Sequence, residues 1–449
     1  MAQAKFQRLF GTNGIRGVPN QDLNSGFCTE IGKAIGTFFA GSDIAMGTDT
    51  RDSRHFIRSS VLAGILSQGV NVIDLGVLPT PAIQYYCKTH KIPGVVITAS
   101  HNPPQFNGIK CIDRDGTELR RESEEQIEKI YWNRAWKDAG WENVGSVRSD
   151  NTAAEAYISA ILSMIDHVSI RQRNFRIAVD TGNGAAYSTT PGILRKLGCT
   201  VVTLNAFPDG RFTSRESEPK PENLRDLMRI MEGGGFDLGI AHDGDADRAV
   251  FFDAGGNFVD GDRILSILVR EYASSGDTVV TPISSSDALD EICRLKGARL
   301  IRTKVGAPIV ARTMIDMNGK IGGEENGGVI FGPHQYCRDG AMTAALVIDL
   351  MARSGKSLAT LVSEIPQYWI SKMAVKYDGN WEGVASKIRK HAEGRKIQDI
   401  DGLKVFYPDG WVLIRASGTE PIVRVYGESP DRKKAETMAQ DYVRLISEK

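Results

Sequence analysis

The sequence predicts an α/β protein made of three similar repeats and a smaller α+β domain at the C-terminal end. The first observation is a pattern that occurs three times: an apolar strand, a turn, a helix, a glycine and a second apolar strand. The second is a further apolar strand after each repeat of this pattern, and an unusual polar loop follows that strand. The third is a change of pattern after residue 366. Continuous apolar strands separated by helices indicate parallel sheets covered on both faces.

The repeated pattern occupies residues 43–76, 176–205 and 278–304. Its helices lie in SSVLAGILSQ, TPGILRKL and DALDEICRLK, and its strands include DIAMG, RIAVD and TVVTP. Gly69, Gly198 and Gly297 follow the three helices, where a left-handed residue commonly ends a helix. We therefore expect four domains, covering residues 1–150, 151–255, 256–366 and 367–449.

The C-terminal region predicts a mixed, smaller domain. MAVKY is typical of a strand and WEGVASKIRKHAE of a helix, while LKVFY and WVLIRAS predict a hairpin across Pro408, Asp409 and Gly410. For the last helix we expect Ser429 as the N-cap and Pro430 at the first position.

Composition excludes several classes of function. The chain has 449 residues, 55 basic and 55 acidic, so its net charge is zero, which argues against nucleic acid as a partner. The six cysteines form no CxxC pair, as expected for a reducing compartment. No apolar run is long enough to span a membrane, and the first residues contain no apolar signal core. We expect a cytoplasmic enzyme with no membrane partner.

Three polar loops follow equivalent strands: TASHNPP after the first repeat, HDGDADR after the second and GGEENGG after the third. Ligands of open α/β sheets bind beyond the carboxyl ends of the strands. The three loops are therefore expected to face one central cleft rather than to be independent solvated turns.

Asp243, Asp245 and Asp247 alternate in HDGDADR. Every second side chain of an extended segment points the same way, so the three carboxylates can converge. Converging anions repel one another unless a cation neutralises them. Oxygen ligands favour Mg²⁺ or Ca²⁺, and the loop lacks the glycine and glutamate of an EF-hand. His242 is expected to be a structural, hydrogen-bonded residue.

Ser100 lies in TASHNPPQFNGIK and is a weak nucleophile unless it is activated. His101 is adjacent, and because neighbouring side chains on a strand diverge, we do not expect a Ser–His pair. If Ser100 faces the carboxylates, its oxygen completes the metal site, and the cation stabilises a transferring phosphoryl group. Lys110 is ten residues further on and is a candidate for proton exchange with a sugar hydroxyl. Although no Ser–His pair is expected, His101 is also a candidate catalytic residue.

Other loops carry groups suited to phosphate and sugar. In RASGTEPIVR, glycine, hydroxyl groups and two guanidinium groups form a phosphate nest; its candidate residues are Arg415, Ser417, Gly418, Thr419 and Arg424. In GGEENGG, carboxylate and amide oxygens suit sugar hydroxyls; its candidates are Glu324, Glu325 and Asn326. In LFGTNGIRG, Thr12, Asn13 and Arg16 offer further donors to an anion.

These motifs together resemble the α-D-phosphohexomutases. TASHNPPQFNGIK, HDGDADR, GGEENGG and RASGTEPIVR occur in the family's order, and the resemblance extends over nearly the whole chain. It implies three α/β/α-sandwich domains with mixed sheets and a C-terminal α+β domain around a central cleft.

The resemblance also implies roles for individual residues. It implies a phosphorylated Ser100 and one Mg²⁺ per chain, held by that serine and the three aspartates. Lys110 and Arg248 match residues that assist proton and phosphoryl transfer. The loop at Glu324 corresponds to the family's sugar loop, and RASGTEPIVR to its distal phosphate site. The resemblance implies a sugar phosphate as substrate and a hexose 1,6-bisphosphate as intermediate and activator, and we expect the chain to be a monomer or homodimer.

For the sugar, LFGTNGIRG and SGTEP most resemble the phosphoglucosamine mutase branch, which interconverts glucosamine 6-phosphate and glucosamine 1-phosphate. The sugar loop differs from the common GExSGH pattern, because Asn326 replaces serine and Gly328 replaces histidine. Phosphomannomutase or phosphoglucomutase activity of broad specificity therefore stays open. Two further alternatives use the same residues: a metal-dependent phosphatase, and a sugar-phosphate sensor without catalysis.

Overall fold

The computed structural model describes residues 8–377, 379–417 and 421–448. The chain divides into two compact units. The first runs to Gly261 and also includes Asn326–Thr360; the second consists of Asp262–Glu325 and the residues from Leu361 onward. Each unit is described by itself below.

The first sheet of the first unit is mixed. Its strands in spatial order are Ile15–Gly17, Asn107–Ile112, Gly94–Ile97, Ile44–Thr48, Val72–Val77 and Val147–Ser149. The first two strands run antiparallel to their neighbours, and the other pairs are parallel. The accompanying helices are Ser25–Phe38, Arg54–Ser67, Thr80–His90 and Arg121–Asn133, with a 3₁₀ turn at Trp141–Asn143.

Two helices of this domain pack very closely through a pair of glycines. A Cβ atom at Gly32 would lie 2.2 Å from the Val61 carbonyl oxygen, and one at Gly64 would lie 2.1 Å from the Thr29 carbonyl oxygen. Only a residue without a side chain fits at such distances. The surrounding core includes Ile31, Ile35, Ile57, Val61 and Ile65, all fully buried.

The second sheet of the first unit is also mixed. Its strands in spatial order are Phe258–Val259, Ala249–Phe252, Leu238–His242, Arg176–Asp180 and Thr200–Leu204. The last three are parallel and the first two antiparallel. The helices are Ala153–Leu162, His167–Arg173, Thr190–Lys196 and Arg225–Glu232, with 3₁₀ turns at Ala185–Ser188 and Pro221–Asn223.

The segment from Asn326 returns to the first unit. It forms the strand Gly328–Phe331 and the helix Gly340–Ser354. Asp339 caps this helix by accepting a 2.9 Å hydrogen bond from the Met342 amide. The helix is buried from Gly340 to Ala352, so it is a core element of this unit.

The second unit contains parallel strands in the order Arg299–Thr303, Thr278–Pro282 and Ile321–Glu324. Its helices in this part of the chain are Ala288–Lys296 and Ala307–Asp316, and the helices Gly261–Tyr272 and Leu358–Ser363 cross the two unit boundaries.

The C-terminal part of the second unit is an antiparallel sheet with two helices. Its strands in spatial order are Trp369–Lys376, Ile422–Ser429, Gly410–Ala416, Leu403–Tyr407 and Ile397–Gln398, and its helices are Trp381–His391 and Arg432–Ser447. The expected N-cap of the last helix is wrong: Ser429 ends a strand, and Asp431 accepts the hydrogen bond from the Lys434 amide at 3.0 Å.

A buried polar cluster lies within the second unit. The Glu428 carboxylate accepts 2.8 Å hydrogen bonds from the Trp411 indole and the Asp287 amide. The Lys404 ammonium lies 3.3 Å from the Asp287 carboxylate. Burial raises the pKa of Glu428 to about 7 and lowers the pKa of Lys404 to about 8, because a buried site disfavours the charged form of either group.

The threefold repeat is confirmed by the sheets. In each repeat the first strand lies between the second strand and the strand that carries the polar loop. Gly69, Gly198 and Gly297 have φ values of 75°, 98° and 67°, which is the left-handed conformation predicted for them. Within the described residues, none of the helices combines the length and apolar character needed to cross a membrane.

Candidate active site

The Ser100 loop begins where the strand Gly94–Ile97 ends. Ser100 is fully buried, and its φ of 53° places it in the left-handed region. Its hydroxyl donates a 3.0 Å hydrogen bond to Asp243 Oδ2 and lies 3.4 Å from His101 Nδ1. The expectation that Ser100 and His101 diverge is wrong, because the serine is in a turn and not in a strand.

The acidic loop follows the strand Leu238–His242. It turns immediately, with Ala246 at a φ of 59°, so the carboxylates converge through a turn rather than through an extended segment. One carboxylate oxygen from each of Asp243, Asp245 and Asp247 lies within 4.8 Å of the others, and all three residues are buried. His242 is structural: its Nδ1 bonds the Arg248 carbonyl at 2.8 Å.

Asp245 and Asp247 each have one carboxylate oxygen that accepts hydrogen bonds and one that accepts none from the described residues. Asp245 Oδ2 accepts hydrogen bonds from Lys110 Nζ at 2.8 Å and Thr80 Oγ1 at 2.7 Å, and Asp247 Oδ2 accepts from Arg338. The Oδ1 atoms of both are buried without a hydrogen-bond partner among the described residues. A bound cation would satisfy buried oxygens of this kind.

Further cationic side chains lie beside the acidic loop and the Ser100 loop. Lys110 Nζ also lies 4.0 Å from Asp247 Oδ2. Arg248 Nε lies 3.8 Å from Asp243 Oδ2 and 3.9 Å from Asp247 Oδ1, while its Nη2 lies 3.0 Å from His101 Nδ1. Arg16 donates to the Asn102 side chain at 2.8 Å. These groups give the loop donors for an anion beside its carboxylates.

The pKa values of Asp243 and Asp245 are shifted in opposite directions. Burial, followed by the charges of Asp247 and Asp245, raises the pKa of Asp243 to about 8. Asp245 is also buried, but the Lys110 ammonium holds its pKa below the usual range. Arg248 and burial hold the pKa of His101 far below its usual value, so its ring is neutral at pH 7. Burial lowers the pKa of Arg16 to about 10, which leaves it charged.

The donor set fits Mg²⁺. The candidate ligands are the Ser100 hydroxyl and three carboxylates, all oxygen atoms, and no histidine or cysteine belongs to the acidic group. Hard oxygen ligands of this kind are those that Mg²⁺ takes. A divalent cation would also relieve the repulsion that raises the pKa of Asp243.

The remaining candidates of the first unit lie nearby or at its surface. Arg16 is opposite Gly108 in an antiparallel pair, so LFGTNGIRG runs beside the strand of Lys110. A Cβ atom at Gly14 would lie 3.0 Å from Lys110 Cγ, and Thr12, two residues earlier, is exposed. Asn326 accepts from the Gly328 amide at 3.2 Å.

The second unit holds the other candidates. One oxygen of the buried Glu324 accepts from the Gly306 amide at 3.1 Å, and Glu325 accepts from the Ser284 hydroxyl at 3.0 Å. Arg415 and Arg424 are directly opposite in neighbouring strands, and Arg415 Nε lies 3.1 Å from Asp401. Residues directly opposite each other in a sheet project from the same face, so these two arginines can bind one anion together.

The turn that joins those two strands is described only in part. Ser417 donates its backbone amide to the Ile422 carbonyl at 2.8 Å. The candidates Gly418 and Thr419 lie outside the described residues.

Sequence reasoning missed Thr80 and Arg338. Thr80 begins a helix and binds Asp245 with its hydroxyl and, at 3.0 Å, with its backbone amide. Arg338 precedes the cap of the helix Gly340–Ser354, and it binds Asp247, which is 91 residues earlier. The Asp339–Gly340 pair indicates a helix start, but no local signal indicates where the arginine points.

The chain is similar to known proteins over nearly its whole length. A phosphoglucomutase/phosphomannomutase of Thermococcus kodakarensis is 42% identical to the chain, and the match covers 98% of this chain and 99% of the relative. The chain belongs to the α-D-phosphohexomutase family. As a phosphohexomutase it is an isomerase that moves a phosphoryl group.

Further matches agree with this membership. Models for phosphoglucomutase/phosphomannomutase domains I, II, III and IV match residues 7–138, 155–256, 260–368 and 374–445. A probable phosphoglucosamine mutase of Methanopyrus kandleri is 38% identical, covering 98% of each chain. A phosphoglucomutase/phosphomannomutase family structure from Burkholderia thailandensis superposes with a TM-score of 0.87 at 26% identity, covering 98% of this chain and 97% of that one. The predicted fold of three α/β/α domains and a C-terminal α+β domain is confirmed.

Proposed function

We propose that this phosphohexomutase interconverts glucosamine 6-phosphate and glucosamine 1-phosphate through a phosphoserine at Ser100 and a glucosamine 1,6-bisphosphate intermediate. The observation that carries the proposal is the 3.0 Å hydrogen bond from the Ser100 hydroxyl to Asp243, within a group of three buried carboxylates. It brings a nucleophilic oxygen and a site for a divalent cation together.

In the first half of the reaction, the bond between Ser100 Oγ and phosphorus breaks. A bond forms between phosphorus and the free hydroxyl oxygen of the sugar monophosphate, and the hydroxyl proton passes to a base. The bisphosphate then turns over, its other phosphoryl group returns to Ser100 Oγ, and the proton returns to the oxygen of the departing sugar. When bound, Mg²⁺ supplies charge stabilisation for the transferring group.

The side chains of the first unit have distinct proposed roles. Lys110 is the candidate for proton exchange, because its ammonium is buried beside Asp245. Arg248 binds the oxygens of the transferring phosphoryl group, since its guanidinium lies near two of the aspartates and His101. His101 is neutral and accepts a hydrogen bond from Arg248 at Nδ1, so we assign it the orientation of Arg248 beside Ser100. Thr12 and Arg16 are proposed substrate contacts.

Other substrate contacts are proposed for loops further along the chain. We assign the sugar hydroxyls to the loop at Glu324 and Asn326. We assign the non-reacting phosphate to the segment with Arg415, Ser417, Gly418, Thr419 and Arg424, because Arg415 and Arg424 lie opposite each other in neighbouring strands. We further propose a hexose 1,6-bisphosphate activator, a cytoplasmic enzyme, a monomer or homodimer, and domain limits at 150, 255 and 366.

A broad phosphomannomutase/phosphoglucomutase activity is the second candidate. It is favoured by the name of the Thermococcus kodakarensis relative that is 42% identical, and by Asn326 and Gly328, which replace the usual serine and histidine of the sugar loop. The glucosamine assignment is favoured by the name of the Methanopyrus kandleri relative and by the LFGTNGIRG and SGTEP motifs.

The test is a comparison of kcat/KM for the 1-phosphates of glucosamine, mannose and glucose, with Mg²⁺ and the matching bisphosphate present. We expect the highest value for glucosamine 1-phosphate, by about 10-fold or more, since one well-placed polar contact discriminates by that amount. Equal values establish the broad activity instead. Absence of turnover with all three sugars, together with steady release of inorganic phosphate, would indicate a phosphatase.

A further inference from the structure

The backbone around Ser100 is held by one buried arginine. Arg51 has no solvent exposure. Its Nη1 donates to the carbonyl oxygens of Pro103 and Phe106 at 2.7 and 2.9 Å, and its Nη2 donates to those of Ser100 and Asn102 at 2.9 and 2.6 Å. All four acceptors lie within residues 100–106 of the Ser100 loop, which starts directly after the strand Gly94–Ile97.

Asp49 fixes both the arginine and the start of the same loop. Its Oδ2 accepts from Arg51 Nε at 3.0 Å and from the Thr98 hydroxyl at 2.6 Å. Thr98 Oγ1 in turn accepts from the Ser100 amide at 2.9 Å. The amide and the carbonyl of Ser100 are therefore both bound by groups that converge on Asp49.

A second donor, a serine hydroxyl, reaches the Ser100 carbonyl from a segment more than 100 residues further along the chain. Ser217 Oγ donates to that oxygen at 3.2 Å. Arg215, two residues earlier, pairs with Asp180 at 2.9 Å and donates to the His242 carbonyl at 2.6 Å. The segment 215–217 therefore contacts both the Ser100 loop and the residue that precedes the acidic loop.

The acidic loop approaches the Ser100 loop closely at Gly244. A Cβ atom at Gly244 would lie 2.7 Å from both the Ser100 carbonyl oxygen and Ser217 Oγ. Ser100 itself has a left-handed φ of 53°, which costs a non-glycine residue free energy and persists only where its surroundings fix it.

We propose that Arg51 and Ser217 are positioning residues, which set the place of Ser100 Oγ relative to Asp243 by binding the Ser100 carbonyl from two sides. Neither side chain reaches the reacting oxygen; both act through the backbone of the residue that carries it. This inference rests on the proposed phosphoryl transfer at Ser100, and it predicts a loss in the rate of that step rather than in substrate binding.

The test uses Arg51→Lys and Ser217→Ala in the full-length protein. A lysine ammonium cannot reproduce the planar fork that reaches four carbonyls, so we expect the single-turnover rate of Ser100 phosphorylation by the bisphosphate to fall about 100-fold, as for a misplaced reacting group. For Ser217→Ala we expect a fall of about fivefold, the loss of one hydrogen bond. KM should change by less than about threefold in both.

Matched controls come from similar contacts away from the Ser100 loop. Ser188 donates to the Ala185 carbonyl at 3.0 Å, and Arg121 binds the Glu128 and Glu124 carboxylates. Ser188→Ala and Arg121→Lys should keep the wild-type rate. Thermal midpoints of all four variants report folding. If Arg51→Lys does not fold, Ser217→Ala decides, because loss of one hydroxyl leaves the core packing unchanged.

Wild-type rates in folded Ser217→Ala and Arg51→Lys would overturn the inference. If the wild-type protein itself never phosphorylates Ser100, the proposed function fails, and crystal structures of the variants decide the positioning role. We then expect Ser100 Oγ to move by about 0.5–1 Å relative to Asp243, beyond the tolerance of a productive site. An unmoved oxygen contradicts the role.

Discussion

The Ser100 hydroxyl donates a 3.0 Å hydrogen bond to Asp243, a residue 143 positions further along the chain. This contact joins the polar loops of the first two repeats. It also places Ser100 at the edge of an acidic group in which two oxygen atoms, one each from Asp245 and Asp247, are buried without a hydrogen-bond partner among the described residues.

Asp247→Asn is expected to weaken Mg²⁺ binding. The change removes one charge and one free carboxylate oxygen from the acidic group. The Kd for Mg²⁺ should rise by more than about 100-fold, beyond the loss typical of a change outside the ligand set. Titration calorimetry measures this without substrate. Asp253→Asn is the control, because Asp253 is an acid of the same domain that binds the Gly255 and Asn257 amides. Equal Mg²⁺ affinity in both variants would place the ion elsewhere.

Arg338→Met is expected to raise the Kd for Mg²⁺ by about 10-fold, because Arg338 orients Asp247 and a change of this kind typically costs that much. The Mg²⁺-dependent rise in thermal midpoint should shrink correspondingly. Arg353 lies in the helix that follows and pairs with Asp349 at 2.8 Å, so Arg353→Met serves as the control. A normal Mg²⁺ response in Arg338→Met shows that Asp247 is oriented without the arginine.

Glu428→Gln is expected to reduce the pH dependence of stability. The pKa of Glu428 is raised from 4.5 to about 7 in the folded protein. Between these values the unfolded chain has released the proton and the folded protein has kept it, so the free energy of unfolding falls as pH rises. Glutamine does not ionise, which removes up to about 3 kcal/mol of this fall.

Urea unfolding at pH 5 and at pH 7 measures the Glu428 effect, as the difference between the two free energies. Glu436→Gln, an exposed residue paired with Arg432, should leave that difference unchanged. If Glu428→Gln leaves it unchanged as well, Glu428 is ionised throughout this range in the folded protein.

Gly64→Ala is expected to destabilise the first domain. The added methyl group would lie 2.1 Å from the Thr29 carbonyl oxygen and 2.7 Å from the Lys33 amide. Both neighbours are helix backbone, so the helices must separate, at a cost of about 1–3 kcal/mol. Gly192→Ala is the matched change, since nothing lies within 4 Å of its Cβ position. Alanine there should be neutral or stabilise by up to about 1 kcal/mol. Thermal unfolding distinguishes the two.

Much of the fold was predictable because it depends on local patterns. Apolar strands, helices and terminal glycines repeat along the chain, so three parallel sheet cores and the positions of Gly69, Gly198 and Gly297 followed from sequence. The helix start at Asp431 was missed because Ser429, Pro430 and Asp431 all carry start signals, and strand pairing of Ser429 with Trp369 decides among them.

The class of fold, the family and the candidate groups could all be inferred without the structure: a serine, three alternating acids, and the lysine and arginines that accompany them. How these groups meet depends on the tertiary structure. Ser100 and His101 lie together because a left-handed turn, and not a strand, carries them, and the acids converge through a turn at Ala246. Arg51, Thr80, Ser217 and Arg338 gained their partners through packing between distant segments. Spacing along a chain specifies local conformation, whereas these contacts depend on how separate sheets and helices are placed.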